Sequence, residues 1–195
     1  MAHRLCPFWV GYFLANPLRR LVHDPEKILS PFVADGMTVL DIGPAMGFFT
    51  LPLARMVGAG GEVLAVDLQE KLLEKLRKRA RKAELADRIT TRACGANSLD
   101  LEEFDGRVDF VLAFAVVHEV PDVGALFNEI FRLMKPGGEC LFAEPAGHVS
   151  VPDFAQSLSL AEEVGFRASE GPEITWSHSA LLIKDWPERP EPGED

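Results

Sequence analysis

The chain has few of the features that would assign it to several large protein classes. Its three cysteines, Cys6, Cys94 and Cys140, are odd in number and far apart. They make neither a metal-spaced pair nor a disulfide framework, so a reducing cytoplasm is the expected setting. No run is long and apolar enough to cross a bilayer, and the first residues lack the basic start and small-residue cleavage site of a secretory leader. Positive charge is in deficit: 20 Lys and Arg against 30 Asp and Glu give a formal net charge of −10. That balance disfavours a general affinity for nucleic acid or anionic lipid. No internal repeat is present. What remains is a chain of 195 residues, 47% hydrophobic, which can bury one substantial core and little more.

One stretch, 71–82, runs against the overall charge. It holds Lys71, Lys75, Arg77, Lys78, Arg79, Arg81 and Lys82, with Leu72, Leu73, Leu76 and Ala80 at helical spacing. It reads as the solvated outer face of a helix; the other use for it is an acidic partner or RNA.

Residues 17–29 read as one or two short helices, with Asp24, Pro25 and Glu26 capping the second. Strands are expected at 37–42, 62–67, 88–93, 108–114, 139–144, 166–169 and 174–183, and helices at 47–57, 69–84, 122–134 and 152–164. The Pro-Gly-Gly sequence at 136–138 is expected to turn into the fifth strand. This alternation predicts a three-layer α/β fold, with a mostly parallel seven-stranded sheet and an antiparallel last strand. Residues 1–35 form an N-terminal helical lid, 36–186 the domain proper, and 187–195 an acidic tail with nothing to bury, expected to be disordered.

The most informative run is 38–50, TVLDIGPAMGFFT. Its β-branched and aliphatic start suits a strand covered on both faces, and Gly43, Ala45 and Gly47 then allow a close backbone approach. About 20 residues further on, the strand 62–67 ends in Asp67. A carboxylate at that place can take both hydroxyls of a ribose. The dinucleotide fingerprint needs glycines at relative positions one, three and six; counted from Gly43, these are Gly43, Ala45 and Phe48. A phenylalanine where helix and strand must pack closely argues against a pyrophosphate. No Gly-Lys-Ser/Thr follows, which excludes a Walker-type loop.

The pattern of Asp41, Gly43, Ala45 and Gly47, Asp-x-Gly-x-Ala-x-Gly, resembles motif I of the Rossmann-like S-adenosylmethionine-dependent methyltransferases. Asp67 matches the ribose-binding acid of that family. Residues 108–114, VDFVLAF, are similar to its fourth strand, and 133–139, LMKPGGE, to its Leu-Lys-Pro-Gly-Gly turn. The resemblance spans about 37–183. It implies S-adenosylmethionine as cofactor, held by Asp41, Gly43, Ala45, Gly47, Asp67, Leu68 and Phe114. Ala45 departs from the commoner middle glycine. Many members carry an acid after strand three that meets the adenine amino group; residues 94–99, CGANSL, have none. Asn97 either replaces it through its amide oxygen or is an ordinary turn residue.

Methyl transfer is an in-line displacement in which holding the nucleophile aligned supplies much of the rate. A base is needed only if the acceptor must lose a proton. Ligands bind at the carboxyl ends of such strands, which singles out 115–122, 144–148 and the N-terminal segment bearing Trp9, Tyr12 and Phe13. The Asn/Asp-Pro-Pro-aromatic motif of nucleic-acid amino methyltransferases is absent; His118 and Glu119 stand in its place. His118 is a candidate general base. Glu119 orients it or binds a cationic acceptor, unless the pair merely caps the helix near Pro121. Glu144 and His148 form a second polar pair. Two His and two Glu have the chemistry to ligate a transition metal, but their spacing matches no metal motif, so a polar substrate pocket is the simpler reading and no metal is expected. His3, His23 and His178 read as incidental, and Cys6 is assigned no role.

The expected function is S-adenosylmethionine-dependent methyl transfer to a small-molecule acceptor. The alternatives are a non-catalytic adenosyl-ligand-binding protein of the same fold, or an RNA or protein methyltransferase. A nicotinamide-dependent oxidoreductase would need glycines that this turn lacks. The acceptor and the oligomeric state are not legible.

Overall fold

The computed structural model describes residues 22–187. Trp9, Tyr12 and Phe13 of the expected lid, and 188–195 of the expected tail, lie outside the described residues. Asp24 opens α1 (Pro25–Leu29): its carboxylate accepts the backbone N–H groups of Glu26 and Lys27, and Pro25 occupies the first turn. There follow β1 (Thr38–Ile42), α2 (Thr50–Met56), β2 (Glu62–Asp67), α3 (Glu70–Lys82), β3 (Ile89–Ala93) and β4 (Val108–Phe114). The order is completed by α4 (Val123–Leu133), β5 (Met134–Pro145), α5 (Val151–Val164), β6 (Arg167–Glu170) and β7 (Ser177–Ile183).

The strands form one seven-stranded sheet in the order β3-β2-β1-β4-β5-β7-β6. β7 runs antiparallel to both of its neighbours, and the remaining pairs are parallel. Side chains alternate between the faces with period two. Val39, Val63, Phe110, Leu112 and Leu141 meet Leu29 of α1, Leu53 of α2 and Leu73 and Leu76 of α3. Leu40, Leu64, Val111 and Phe142 meet Phe127 and Ile130 of α4 and Phe154 and Ala161 of α5. Both faces are therefore covered, which gives the three layers and explains why the central strands read as unbroken apolar runs. In α3, Leu72, Leu73, Leu76 and Ala80 are buried while Lys71, Lys78, Arg81 and Lys82 are exposed, an amphipathic helix with a basic outer face.

Three element starts differ from the sequence expectation by three residues or more. α2 starts at Thr50 rather than 47, because Ala45 and Gly47 hold positive φ values of 49° and 84° that a right-handed helix cannot contain. β5 begins at Met134, and the expected Pro-Gly-Gly turn is instead a bulge within it: Val108 pairs with Met134 but Phe110 pairs with Glu139. The Lys184 ammonium fastens this bulge by donating to the Phe131 and Met134 carbonyls at 2.7 and 2.8 Å. β7 begins at Ser177 rather than 174, because Ile174 accepts the Ser177 N–H in a tight turn.

After β3 the chain crosses back to lay β4 beside β1. The loops following β1 and β4 therefore leave in different directions, and a crevice opens at the carboxyl ends of those strands.

Candidate active site

A cavity of about 590 Å³ occupies that crevice and extends along the sheet from the loop after β3 to the start of β7. Gly43, Ala45, Asp67, Leu68, Asn97, Phe114, His118, Glu119 and His148 all line it. Asp41, Gly47 and Glu144, the other expected site residues, do not; each lies behind the wall and supports it.

The β1 turn is shaped by close approaches. A Cβ on Gly43 would lie 2.9 Å from Val116 Cγ2, so this glycine lets the loops after β1 and β4 touch. A Cβ on Gly47 would come 2.4 Å from Leu76 Cδ1, so Gly47 is where α3 packs against the turn from behind. The Arg79 guanidinium donates to the Met46 carbonyl and pins the same turn. Asp67, 8% exposed, accepts the Gln69 N–H on Oδ1 at 2.8 Å and the Ala45 N–H on Oδ2 at 3.2 Å. Each oxygen keeps a second lone pair for a ligand. Burial pushes its pKa above the ordinary value, opposed by the N–H groups of Gln69 and Ala45 and reinforced by the charge on Glu119.

Asp41 turns away from the cavity. Only 3% exposed, it accepts the Thr50 hydroxyl at 2.6 Å and so ties β1 to the first turn of α2. Burial drives its pKa up to about 7, with the Thr50 hydroxyl opposing and Asp67 adding to the rise. An unfolded aspartate loses its proton near pH ~3.9. The folded state therefore holds a proton that the unfolded chain does not across pH 4–7, and stability falls as pH rises through that window. We expect the wild type to lose at most about 4 kcal/mol between acidic and mildly alkaline pH from this group. Asp41→Asn should flatten the dependence, because an amide has no proton to lose. Urea unfolding across that range checks it; parallel curves for the two proteins would disprove the assignment.

On the β4 side, Glu144 is 1% exposed. Its Oε1 accepts the N–H groups of Val117 and His118 at 2.7 and 3.2 Å, and its Oε2 meets His118 Nδ1 in a short hydrogen bond. The buried carboxylate thus fixes both the loop and the imidazole. With Nδ1–H donating to Glu144, His118 Nε2 carries the lone pair, 4.0 Å from Glu119 Oε1. The Glu144 hydrogen bond raises the His118 pKa, burial opposes it, and the charges of Glu144 and Glu119 add to the rise. His148 stands edge-on to His118, ring centroids 6.2 Å apart. Among the described residues no group of three or more His, Cys, Asp or Glu could hold a metal ion.

Asn97 sits in the loop closed by the Gly95–Ser98 bridge and lines the cavity. His23 is not incidental: it lines the cavity, packs against Phe114 at 5.5 Å and bonds the Thr175 carbonyl at 2.9 Å. His178 bonds the Val149 carbonyl at 3.1 Å and packs against Phe154, a structural role. Trp176 escaped the sequence reading, where it passed for an ordinary member of an alternating strand. Of the five described non-glycine residues with positive φ, three line this one cavity: Ala45, Ala115 and Trp176. Backbone strain of that kind concentrates at functional sites.

The charged side chains in the lining are Asp67, Glu119, Asp122 and Glu129; among the described residues no Lys or Arg joins them. A pyrophosphate would meet no Lys or Arg among the described lining residues, whereas a sulfonium cation with a ribose diol suits both the acidic wall and Asp67. The sequence of residues 34–180 matches the family model described as a methyltransferase domain. The chain belongs to the S-adenosylmethionine-dependent methyltransferase family. An arsenite methyltransferase from Aquipseudomonas alcaligenes is 32% identical over 150 residues, covering 71% of this chain and 42% of that protein. A demethylmenaquinone methyltransferase from Lactococcus lactis is 31% identical over 125 residues, covering 64% and 48%. The chain thus spans less than half the length of these relatives. A solved S-adenosylmethionine-dependent methyltransferase from Aquifex aeolicus superposes with a TM-score of 0.83 at 25% identity, over 92% of this chain and all of that one. S-adenosylmethionine is the cofactor of this methyltransferase class. No described helix is long and apolar enough to cross a membrane.

Proposed function

We propose that this domain transfers a methyl group from S-adenosylmethionine to a small-molecule acceptor, with His118 as general base and Glu144 as its positioning residue. The observation that carries the reading is the hydrogen bond between the buried Glu144 and the partly exposed His118, which lines the acid-walled cavity. When bound, S-adenosylmethionine supplies an electrophilic methyl group on a cationic sulfur. Asp67 would hold the ribose hydroxyls, the Gly43–Ala45 turn would support the methionine part, and Leu68 with the loop bearing Asn97 would flank the adenine. His118 Nε2 would take the proton that the acceptor gives up, and Glu144 would stabilise the imidazolium so formed. His23, which precedes α1 and stands in the wall, supports the reading of the segment ahead of that helix as a lid.

The two relatives are named for unlike acceptors, arsenite and demethylmenaquinone. A thiol-seeking acceptor such as arsenite requires thiolates. Among the described residues Cys94 alone brings a thiol to the cavity, and burial pushes its pKa up to about 11. An organic acceptor therefore fits better. The test is calorimetric titration with S-adenosylmethionine, S-adenosylhomocysteine and NAD. Both adenosyl ligands should bind and NAD should not; binding of NAD, or failure of both adenosyl ligands, would overturn the reading.

A further inference from the structure

Among the described acids of the cavity wall, Glu129 alone has been given no task. Asp67 is assigned to the ribose, Glu119 stands beside His118, and Asp122 caps α4 by accepting the Ala125 N–H at 2.9 Å. Glu129 lies in the middle of α4, one turn beyond Leu126, which lines the same cavity. Its Oε2 accepts the Leu99 N–H at 2.7 Å. Leu99 is buried in one core with Leu126, Phe127 and Ile130, so the chain leaving β3 lies against α4 and sets the carboxyl group in place. The Glu129 side chain is half-buried, and its Oε1 takes no hydrogen bond from the described residues. That oxygen is left to accept from a ligand.

This part of the wall lies where the base of an adenosyl ligand held on Asp67 would come. Asp67 pairs with Ala93 in the sheet, and the Cys94 N–H donates to the Asp67 carbonyl at 3.2 Å. Residues 94–99, which follow, all line the cavity. They bring no acid of their own, and the next residue, Asp100, turns its carboxylate onto the Gly95 N–H at 3.3 Å and stands outside the described lining. Burial first, then the charges of Asp67, Asp100 and Glu129, push the Cys94 thiol up to about 11. Glu129 therefore acts electrostatically on the thiol that adjoins Asp67. A carboxylate only accepts hydrogen bonds. The edge of an adenine carries ring-nitrogen acceptors and one donor, its exocyclic amino group.

We infer that Glu129 is the residue that selects adenine: its Oε1 would accept the amino group while Oε2 keeps the Leu99 N–H. A base with a carbonyl oxygen at that position, such as hypoxanthine, would set acceptor against acceptor and leave both unpaired. The acid that the loop after β3 lacks is thereby supplied from a helix 30 residues further on. This assignment rests on the methyltransferase reading.

The test is calorimetric titration of the full chain with S-adenosylhomocysteine and its deaminated analogue, S-inosylhomocysteine. The wild type should bind the inosyl ligand at least about tenfold more weakly. Glu129→Gln keeps an amide oxygen for the Leu99 N–H and turns an NH₂ toward the cavity. It should therefore melt with the wild type, bind the adenosyl ligand at least about tenfold more weakly and bind the inosyl ligand more tightly, so that the preference disappears or inverts. Glu129→Ala loses the Leu99 anchor as well as the ligand contact. It should weaken the adenosyl ligand and bring the two affinities together. A residue that merely fastened the loop would leave the preference untouched in both variants. Equal binding of the two ligands by the wild type, or an unchanged preference in either variant, would overturn the proposal. Failure of S-adenosylhomocysteine to bind the wild type would instead overturn the methyltransferase reading beneath it.

Discussion

Asp67→Ala is expected to weaken S-adenosylhomocysteine binding by about 10²–10⁴-fold, because two hydrogen bonds to a charged acceptor are lost at about 1.5–3 kcal/mol each. The variant also frees the Ala45 and Gln69 N–H groups that the carboxylate holds at 3.2 and 2.8 Å, so the turn loosens as well as the ligand. Asp67→Asn separates the two effects. It keeps one carbonyl oxygen for an N–H donor but turns an NH₂ toward the other, and should fall between wild type and alanine. Since burial raises the Asp67 pKa, affinity should also begin to fall, on acidification, at a pH above the usual carboxylate range. Calorimetry at several pH values measures both. A folded Asp67→Ala protein with undiminished affinity would remove Asp67 from the cofactor site.

His118→Ala should lower kcat by about 10²–10⁴-fold at unchanged cofactor affinity, the usual weight of a general base. Glu144→Gln is the more discriminating change. The amide oxygen can still accept the Val117 and His118 N–H groups, but an NH₂ would then face Nδ1. The imidazole would switch its proton to Nε2 and lose the lone pair that faces the cavity, so kcat should fall about 10²–10³-fold with the loop intact. The pH profile carries the sign. In the wild type the imidazolium is stabilised by Glu144, so kcat rises only above the ordinary histidine range. Without that carboxylate the residual activity should rise at lower pH. A profile that does not move, or a kcat that falls only because the protein unfolds, would reduce Glu144 to a loop fastener.

The local patterns carried most of the architecture. Strand and helix positions follow from short-range periodicity, and Asp24 could be read as a cap because its partners, Glu26 and Lys27, are two and three residues away. The β1 turn and Asp67 were legible for the same reason: small residues and a strand-ending acid lie within one β-α-β unit. Two of the misplaced boundaries, those of β5 and β7, have long-range anchors. The β5 bulge is held by Lys184, 50 residues from the carbonyl of Met134, and the start of β7 is displaced by a turn anchored on His23, 152 residues from Thr175.

The sequence alone therefore determined the α/β class, the small-residue turn after β1, the acid that ends β2 and the set of polar residues after β4 and β5, because each depends on neighbours in the chain. Only the tertiary structure decided which of those residues meet and which face the cavity. The β4–β5 register, with Phe114 opposite Ala143, brings Glu144 beneath His118 across 26 residues and makes a dyad of two unrelated side chains. The alternation of β1 sends Asp41 to Thr50 instead of the ligand, and the packing of α3 puts Gly47 behind the wall. The antiparallel insertion of β7 beside β5 carries Trp176 to the far end of the cavity. Strand pairing and side-chain facing are set by the summed packing of the whole sheet, and no local stretch of sequence contains them.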